Sequence, residues 1–206
     1  GKALNMGQVC LSPDYIFVQS NSLNEFIAEL ENAFSELFPT IRDNADYTSI
    51  INARHHARLQ SYIDDVKAQE GEVRVINPAK ESFAMQKDGI NKIPPTLVIN
   101  PTDAMKIMQE EVFGPILPIK SYNHIDDAID YINAHARPLG LYLFSDEARE
   151  RERVLSRTIS GGVTINDVMQ HVSCEDLPFG GIGASGMGNY HGPEGFKTFS
   201  HVRSVY

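Results

Sequence analysis

The amino-acid sequence predicts an α/β fold in which a mainly parallel sheet carries crossover helices on its faces. Short β-rich runs alternate with amphipathic helical patterns up to residue 165, and this alternation is typical of parallel strands joined by helices. Apolar residues make up 42% of the 206 residues and charged residues 22%, which excludes disordered and fibrous proteins. No uncharged apolar stretch approaches the roughly 18–20 residues that span a bilayer. The length corresponds to roughly 1.4 average domains.

The predicted strands are short runs of β-branched, aromatic and aliphatic residues bounded by turn-forming residues. The first strand follows the turn-prone sequence Ser12-Pro13-Asp14, and the third follows Pro94-Pro95. In chain order, the strands cover residues 15–18, 73–76, 96–99, 116–122, 141–144 and 162–165.

Four helices are predicted, three of them from apolar residues that recur at steps of three and four. Pro39 lies beyond the end of the first helix, Gly71 lies beyond the second, and Asn123 is the candidate N-cap of the third. The fourth is a charged helix over residues 146–157. The apolar faces of the first three comprise Leu23, Phe26, Ile27, Leu30, Phe34 and Leu37; Leu59, Ile63 and Val66; and Ile125, Ala128, Ile129 and Ile132.

The predicted α/β domain covers residues 1–176, and the character of the chain changes in residues 177–206. The segment from Leu177 to Gly195 holds nearly half of the fifteen glycines. Such backbone freedom indicates tight turns or a close approach to a ligand. The segment lacks the glycine spacing of a dinucleotide-binding fingerprint, and it lacks the Lys-Ser/Thr pair of a Walker loop.

Charge and cysteine content exclude several classes of protein. A net charge of −9 argues against a surface that coats nucleic acid. Two cysteines cannot form a disulfide scaffold or a four-thiolate zinc site. His55 and His56 are adjacent on a predicted helix and point in different directions, and there is no H-E-x-x-H motif or Cys/His cluster, so we predict no metal. The chain has no signal-peptide pattern, and we expect a cytoplasmic protein without a membrane span.

Cys10 is the first candidate for chemistry, in the sequence G-Q-V-C-L-S-P from Gly7 to Pro13. A thiolate is the strongest nucleophile among side chains at neutral pH. The glycine before it and the proline after it suit a constrained turn, in which backbone N–H groups can face a developing oxyanion. A lone cysteine is more commonly a small buried hydrophobe. The local sequence leaves both interpretations open, and for Cys174 we keep the structural one.

The second unusual stretch is E-E-V-F-G-P, from Glu110 to Pro115. Its paired carboxylates can be a solvated helix end. Alternatively, one carboxylate binds sugar hydroxyls while Phe113 packs against a flat ring. Spacing alone does not separate these two interpretations. A hydrolytic dyad of Cys10 and His191 is a further arrangement, but nothing in the local sequence supports it.

Three separated segments together resemble the signature segments of the NAD(P)-dependent aldehyde dehydrogenases, in the order that this family shows. They are N-M-G-Q-V-C at residues 5–10, E-V-F-G-P at residues 111–115 and P-F-G-G at residues 178–181. The resemblance covers essentially the whole chain, as the family's catalytic domain and C-terminal tail. The segments at residues 10–15 and 185–192 resemble the class 3 branch. Together with the segments at residues 165–168 and 191–195, they most resemble the coniferyl-aldehyde-type enzymes.

The resemblance implies a reaction and a cofactor, NAD or NADP. Cys10 matches the nucleophile that adds to the carbonyl of an aldehyde substrate. The resulting thiohemiacetal gives hydride to the nicotinamide and leaves a thioester, which water hydrolyses to the carboxylic acid. The backbone N–H of Cys10 would supply half of the oxyanion hole. Glu111 matches the ligand of the nicotinamide-side ribose, and Phe113 matches the residue that packs beside that ring.

The resemblance also implies where the substrate binds. Phe179 matches a wall of the family's aldehyde pocket, and Asn166 and His191 are candidates near its mouth. Phe179, Tyr190 and the class 3 likeness indicate an aromatic or apolar aldehyde, but the sequence leaves open which one. We further expect residues 177–206 to form a Gly-rich active-site segment and an oligomerisation tail, in a homodimer or a higher homo-oligomer.

The sequence departs from the family pattern at its start. The family's general-base Glu, its second oxyanion donor and its Rossmann-like cofactor domain lie upstream of the nucleophile, whereas nine residues precede Cys10 here. We therefore expect a C-terminal catalytic portion without its N-terminal cofactor-binding domain, inactive as an isolated chain. Two other functions stay open. One is an acylating or reductase relative that uses CoA or phosphate, and the other is a non-catalytic binding module of the same fold.

Overall fold

The computed structural model describes residues 1–83 and 91–206. These residues form two compact units, Gly1–Asn123 and His124–Tyr206. The expected functional boundary between residues 176 and 177 stays a prediction. The strands among the described residues are β1 (Ile16–Gln19), β2 (Glu72–Val75), β3 (Thr96–Ile99), β4 (Ile116–Tyr122), β5 (Gly140–Leu143) and β6 (Gly162–Ile165). The α-helices are α1 (Leu23–Leu37), α2 (Ala53–Ala68), α3 (Ile125–Ala134), α4 (Ala148–Arg157), α5 (Gln170–Ser173) and α6 (Gly192–Thr198).

The first unit is built on a four-stranded sheet in the order β1-β4-β3-β2. β1, β4 and β3 run parallel, with Ile16 opposite Ile119 in the outer pair. β2 is an antiparallel edge strand, in which Val73 lies opposite Val98 of β3. This arrangement places β3 and β4 in the interior of the sheet.

Side chains of β3 alternate between two apolar clusters, because successive residues of a strand point to opposite faces. Leu97 belongs to the cluster that contains Phe34 of α1. Val98 belongs to the cluster that contains Leu59 of α2. The sheet is therefore covered by one helix on each face, which explains why all four residues of β3 are buried.

In the second unit, β5 and β6 form a two-stranded parallel pair. The core of this unit combines Ile129 of α3, Leu141 and Leu143 of β5, and Val154 of α4. α4 joins β5 to β6 and is the crossover helix that a parallel pair requires. The second unit thus contains one strand–helix–strand unit with parallel strands, as the sequence predicts.

The predicted α/β class with mainly parallel pairing is confirmed. Each of the six predicted strands is found within one residue of its predicted bounds, although the strands divide between two sheets. The predicted cap of α3 is wrong by one position, since His124 rather than Asn123 is the N-cap. The backbone N–H of His124 donates to the carboxylate of Asp127 at 2.9 Å, and this bond fixes the first turn. The charged helix begins at Ala148 rather than at residue 146.

The C-terminal segment has little regular structure. α6 ends at Thr198, and residues 199–206 contain no helix or strand. Phe199, Val202 and Val205 are all exposed. The oligomerisation role of this tail stays a prediction. Across the part of the chain that the structure describes, no helix has the length and apolar content to cross a membrane.

Candidate active site

Two segments of the first unit carry the predicted reactive groups. The cysteine turn, residues 5–14, leads into β1, and the glutamate loop, residues 110–114, leads into β4. Since β1 and β4 are parallel neighbours, the segments that enter them emerge at the same edge of the sheet. The topology therefore brings Cys10 and Glu111 to one edge although they lie far apart in sequence.

Gly7 allows the cysteine turn to touch the backbone of the glutamate loop, and Gly114 allows that loop to lie against α2. Asn5, Met6 and Gly7 are left-handed, with φ of 48°, 50° and 75°, so the chain turns sharply before the cysteine. A β-carbon at position 7 would overlap the carbonyl group of Gly114. A β-carbon at position 114 would lie 2.5 Å from a methyl carbon of Leu59 in α2. Neighbouring atoms already fill the space at both positions, and at Gly7 the obstructing atoms are backbone and the φ is left-handed, so that position needs glycine.

The side chain of Gln8 fastens the cysteine turn to a neighbouring segment of the first unit. Its Nε2 donates to the carbonyl oxygens of Asn5, at 3.2 Å, and Ser49, at 3.1 Å. Its Oε1 accepts from the backbone N–H of Ile51 at 3.0 Å. These bonds are directed at backbone groups, so they fix the path of the chain two residues before Cys10.

Asp14 and Arg58 hold the glutamate loop by its backbone. Asp14 Oδ1 accepts from the N–H of Val112 at 2.8 Å. Arg58, in α2, donates to the carbonyl oxygens of Glu111 and Val112 at 3.0 and 2.7 Å, which uses the forked geometry of its guanidinium. Phe113 follows with φ of 47°, a conformation that a bulky residue keeps only where its surroundings enforce it.

A buried lysine adds positive charge between the two segments. Lys2 is 7% exposed, and its Nζ donates to the carbonyl of Pro13 at 3.0 Å. Burial lowers the pKa of Lys2 to about 8, against the opposing effect of the Asp14 and Glu111 carboxylates. Burial raises the pKa of Glu111, and the nearby Asp14 carboxylate raises it further, while Arg58 and Lys2 act in the other direction.

The groups that are expected to react or bind, on Cys10, Glu111 and Phe113, do not take part in these contacts. Cys10 and Cys174 are both exposed, which contradicts the buried-hydrophobe interpretation that was left open for Cys10 and kept for Cys174. Within the described residues, nothing accepts a hydrogen bond from the backbone N–H of Cys10, and nothing donates one to the carboxylate of Glu111. The adjacent Glu110 differs, since it accepts from the hydroxyl of Tyr62 at 2.7 Å. Phe113 is 39% exposed.

The second unit gathers aromatic rings around Phe179. The rings of His171, Phe179 and His191 form a column, which we call the ring column. Its neighbouring centroids are 6.1 and 5.6 Å apart. Tyr190 stands edge-on to Phe179 at 5.6 Å, and the two residues exchange backbone hydrogen bonds of 2.7 and 2.8 Å. Phe179 and His191, both predicted from the resemblance, are thus in direct contact.

Asn166 lies at the end of β6 and has its own local role. Its Oδ1 accepts from the N–H of Ser145 at 2.8 Å, and its Nδ2 lies 3.4 Å from a carboxylate oxygen of Asp146. Its φ is 56°, a left-handed conformation that asparagine adopts more readily than most residues. The side chain therefore ties the loop after β5 to the end of β6. None of these bonds involves Phe179 or His191.

Backbone packing explains the glycines at the start of the Gly-rich segment. A β-carbon on Gly180 would overlap Gly188, and one on Gly181 would overlap Ser185. A β-carbon on Gly161 would overlap the carbonyl of Gly180. Glycine occupies these positions because two backbone segments touch there and leave no room for a β-carbon. For metals, residues 1–83 and 91–206 hold no group of three His, Cys, Asp or Glu arranged to bind an ion.

Sequence reasoning missed the residues that position the site. Lys2, Gln8, Asp14 and Arg58 were not singled out, although Gln8 and Asp14 flank Cys10 closely in sequence. Arg58 gave no local signal, because it reaches Glu111 across 53 positions. His171 was likewise not singled out. Only the structure shows that its imidazole is buried and packs against Phe179.

Known proteins share this sequence over almost its entire length. The sequence profile of the aldehyde dehydrogenase family matches residues 1–205. The chain belongs to the aldehyde dehydrogenase family. Among aldehyde dehydrogenases, it is 53% identical over 206 residues to a probable coniferyl aldehyde dehydrogenase of Caulobacter vibrioides. It is 52% identical over 204 residues to the coniferyl aldehyde dehydrogenase of a Pseudomonas species.

These matches cover 100% and 99% of this chain but 42% of each relative. The chain therefore spans less than half the length of the curated aldehyde dehydrogenases that it matches. The substrate-bound structure of Staphylococcus aureus AldH superposes with a TM-score of 0.85 at 37% identity, over 99% of this chain and 44% of that one. A betaine aldehyde dehydrogenase variant from the same species, solved with NAD+, gives a TM-score of 0.76 at 28% identity, over 94% and 39%. The resemblance inferred from three short segments is confirmed.

Proposed function

We propose that this chain is the catalytic portion of an NAD(P)-dependent aldehyde dehydrogenase that oxidises aromatic or apolar aldehydes to carboxylic acids. One observation carries the proposal. An exposed thiol, Cys10, lies in a turn whose Gly7 packs directly on the Gly114 backbone of the loop that carries Glu111. Thiol-based aldehyde oxidation with a dinucleotide needs both a nucleophile and a cofactor-binding group, and the two segments supply them at one sheet edge.

The chemistry begins at the sulfur of Cys10. Its thiolate adds to the aldehyde carbon, the C=O π electrons move to oxygen, and the resulting oxyanion accepts a hydrogen bond from the backbone N–H of Cys10. That N–H has no acceptor among the described residues, which supports this role. Loss of hydride from the same carbon leaves a thioester on Cys10. Water then cleaves the C–S bond, which releases the acid and returns the thiol.

Glu111 and Phe113 fit the nicotinamide end of NAD or NADP. Ribose hydroxyls are donors, and the Glu111 carboxylate has acceptor oxygens to which no described residue donates. Phe113 presents an exposed aromatic ring two residues further on. A dinucleotide bound by these residues supplies the hydride acceptor. Arg58 and Asp14, through the backbone of residues 111 and 112, hold both side chains in position.

The substrate class rests on the second unit. Phe179 and His191 offer stacked ring faces, and Tyr190 adds a half-exposed ring beside them. Such surfaces suit a flat or apolar aldehyde, and two similar proteins carry the name coniferyl aldehyde dehydrogenase. Asn166 stays a predicted contact near the pocket mouth. The cytoplasmic location and the homo-oligomeric assembly also stay predictions.

Cysteine variants test the function. We expect the longest natural form of the protein to oxidise a cinnamyl-type aldehyde with NAD or NADP, and we expect Cys10→Ser to lower kcat by about a thousandfold or more. Cys174→Ser is the matched control, since Cys174 is also exposed and free, and it should retain full activity. Equal activity of both variants would overturn the proposal. The 206 residues alone should show no appreciable turnover, because the relatives carry more than half of their length outside the matched region.

The product of the same assay separates the related activities. An acid formed in the absence of CoA and phosphate supports hydrolysis of the thioester by water. An acyl-CoA or acyl phosphate, formed only when CoA or phosphate is added, identifies the acylating relative instead. A protein that binds aldehyde without forming any of these products is the non-catalytic module.

A further inference from the structure

His171, in the second unit, is a buried histidine that the proposed reaction does not use. It lies in the short helix α5, and 7% of its surface is exposed. Thr164 of β6, also 7% exposed, lies seven positions earlier and contacts it directly. Buried polar side chains such as these almost always have defined hydrogen bonds, so the geometry of this pair indicates what it does.

The Thr164 hydroxyl fixes the position of the ring. The backbone N–H of His171 donates to Thr164 Oγ1 at 3.2 Å. Nδ1 of the ring lies 2.8 Å from the same oxygen, so the ring and the hydroxyl are hydrogen-bonded as well. Burial lowers the pKa of His171, which favours the neutral ring.

A glycine holds the opposite edge of the ring. A β-carbon at position 162 would overlap Cδ2 of His171 and would lie 2.9 Å from Nε2. Gly162 has no left-handed φ, so it is needed for space and not for backbone conformation. Nε2 is buried and has no hydrogen-bond partner among the described residues. The imidazole is thus clamped between the Thr164 hydroxyl and the Gly162 backbone.

The clamped ring contacts two aromatic rings, those of Tyr142 and Phe179, each at a centroid distance of 6.1 Å. Its plane is inclined by 35° to that of Phe179, and the plane of Phe179 is inclined by 24° to that of His191. Phe179 has no polar group. Among the described residues, its backbone pairs with that of Tyr190, and its ring contacts the rings of His171, Tyr190 and His191. Aromatic rings in contact restrict the tilt of one another because protein interiors are closely packed.

We propose that His171 is a positioning residue that, anchored by Thr164 and Gly162, sets the orientation of Phe179 and His191 and thereby the preference for flat aromatic aldehydes. The proposal rests on the substrate role of Phe179 and His191 in the proposed function. His171 itself touches no substrate. It acts through Phe179, whose ring it contacts, and through Phe179 on His191, which is stacked on that ring.

Three variants of the 206-residue chain test the positioning by NMR of its aromatic side chains. Thr164→Val removes the hydroxyl at nearly constant volume, and Gly162→Ala pushes a methyl group into the ring. In both variants we expect the NOEs between His171 and Phe179 to weaken and the ring resonances of Phe179 and His191 to shift. Thr164→Ser restores a hydroxyl and should return the parent spectrum.

Gly195→Ala is the matched control, because the nearest atom to its new methyl group would be an ordinary 3.8 Å away. His135, stacked on Tyr131 outside the ring column, reports whether each variant stays folded. Folded variants in which Phe179 and His191 keep their parent resonances overturn the positioning role. This readout uses neither Cys10 nor an aldehyde, so it is independent of the proposed reaction.

Kinetics in the longest natural form test the effect on specificity. For Thr164→Val we expect the KM of a cinnamyl-type aldehyde to rise about tenfold, with kcat and the KM of propanal nearly unchanged. Equal changes for both aldehydes, or none, overturn the specificity role. If the parent oxidises neither aldehyde, the proposed function fails, and the NMR result still decides whether His171 positions the rings.

Discussion

The cysteine turn of the first unit and the ring column of the second unit are held by different kinds of contact. Around Cys10, side chains hold backbone groups: Gln8 bonds to residues 49 and 51, and Arg58 bonds to two carbonyl oxygens of the glutamate loop. Around Phe179, contacts between aromatic rings and between backbone segments hold the side chains in place. One hydroxyl, that of Thr164, anchors the ring column.

The difference follows from what each region must hold. A nucleophile and an oxyanion donor require backbone atoms at fixed distances, which short directed hydrogen bonds provide. An apolar pocket requires a shape, which packing provides at less cost in buried polar groups. Substitutions that remove directed hydrogen bonds should therefore disturb the first unit more than the second. Substitutions that add a β-carbon should disturb either unit wherever neighbouring backbone already fills the space.

A pair of glycine substitutions gives the largest expected effect. Gly7→Ala combines a left-handed φ of 75° with overlap of the Gly114 carbonyl, and we expect a loss of about 4 kcal/mol or more in the free energy of unfolding. Gly183→Ala has a similar φ of 64° but open space, with the nearest atom 3.6 Å away. It should cost only the conformational strain, about 1–2 kcal/mol. Urea denaturation of both variants makes the comparison, and equal losses would contradict it.

The buried ammonium group of Lys2 gives the next largest effect, a change in the free energy of unfolding with pH. The folded pKa of Lys2 is about 8 and its unfolded value is 10.5, so between these pH values the folded protein releases a proton that the unfolded chain still binds. The free energy of unfolding of the parent should therefore rise, relative to Lys2→Met, by up to about 3 kcal/mol from pH 8 to pH 10.5.

Urea denaturation from pH 7 to pH 10.5 measures this difference between parent and Lys2→Met. Lys106→Met, at an exposed lysine of the same unit, is the control and should give a curve parallel to that of the parent. If the stability curve of Lys2→Met is parallel to that of the parent, burial does not lower the pKa of Lys2, and the prediction is wrong. Replacement of a buried charge by an apolar side chain is often tolerated, so we expect this variant to fold.

The secondary structure could be predicted because its signals are local. The β-prone run that follows Pro94-Pro95 predicts β3 at residues 96–99, and all four residues of this strand are buried. The division at Asn123 was not predictable, since neither glycine, proline nor a change in composition marks it. The cap of α3 shifted by one residue because the deciding group is the Asp127 carboxylate, three positions into the helix.

The candidate site could be predicted only in part, because some of its residues lie in local motifs and others act through contacts between distant parts of the chain. Cys10, Glu111 and Phe113 lie in short segments with a recognisable order. Their supports do not, because Asp14 reaches Val112 across 98 positions and Arg58 reaches it across 54. Such contacts depend on the pairing of β1 with β4, which no spacing in the sequence reveals. Contacts of this range become visible only once the topology is known.

The most direct test of the account is the identity of the covalent intermediate. The longest natural form of the protein, acid-quenched during turnover of a cinnamyl-type aldehyde with NAD or NADP, should yield a peptide acylated at Cys10. Its added mass should equal that of the aldehyde less one hydride and one proton. The peptide that contains Cys174 should stay unmodified. Turnover without an adduct on Cys10, or with an adduct on another residue, would contradict the assignment of Cys10 as the nucleophile.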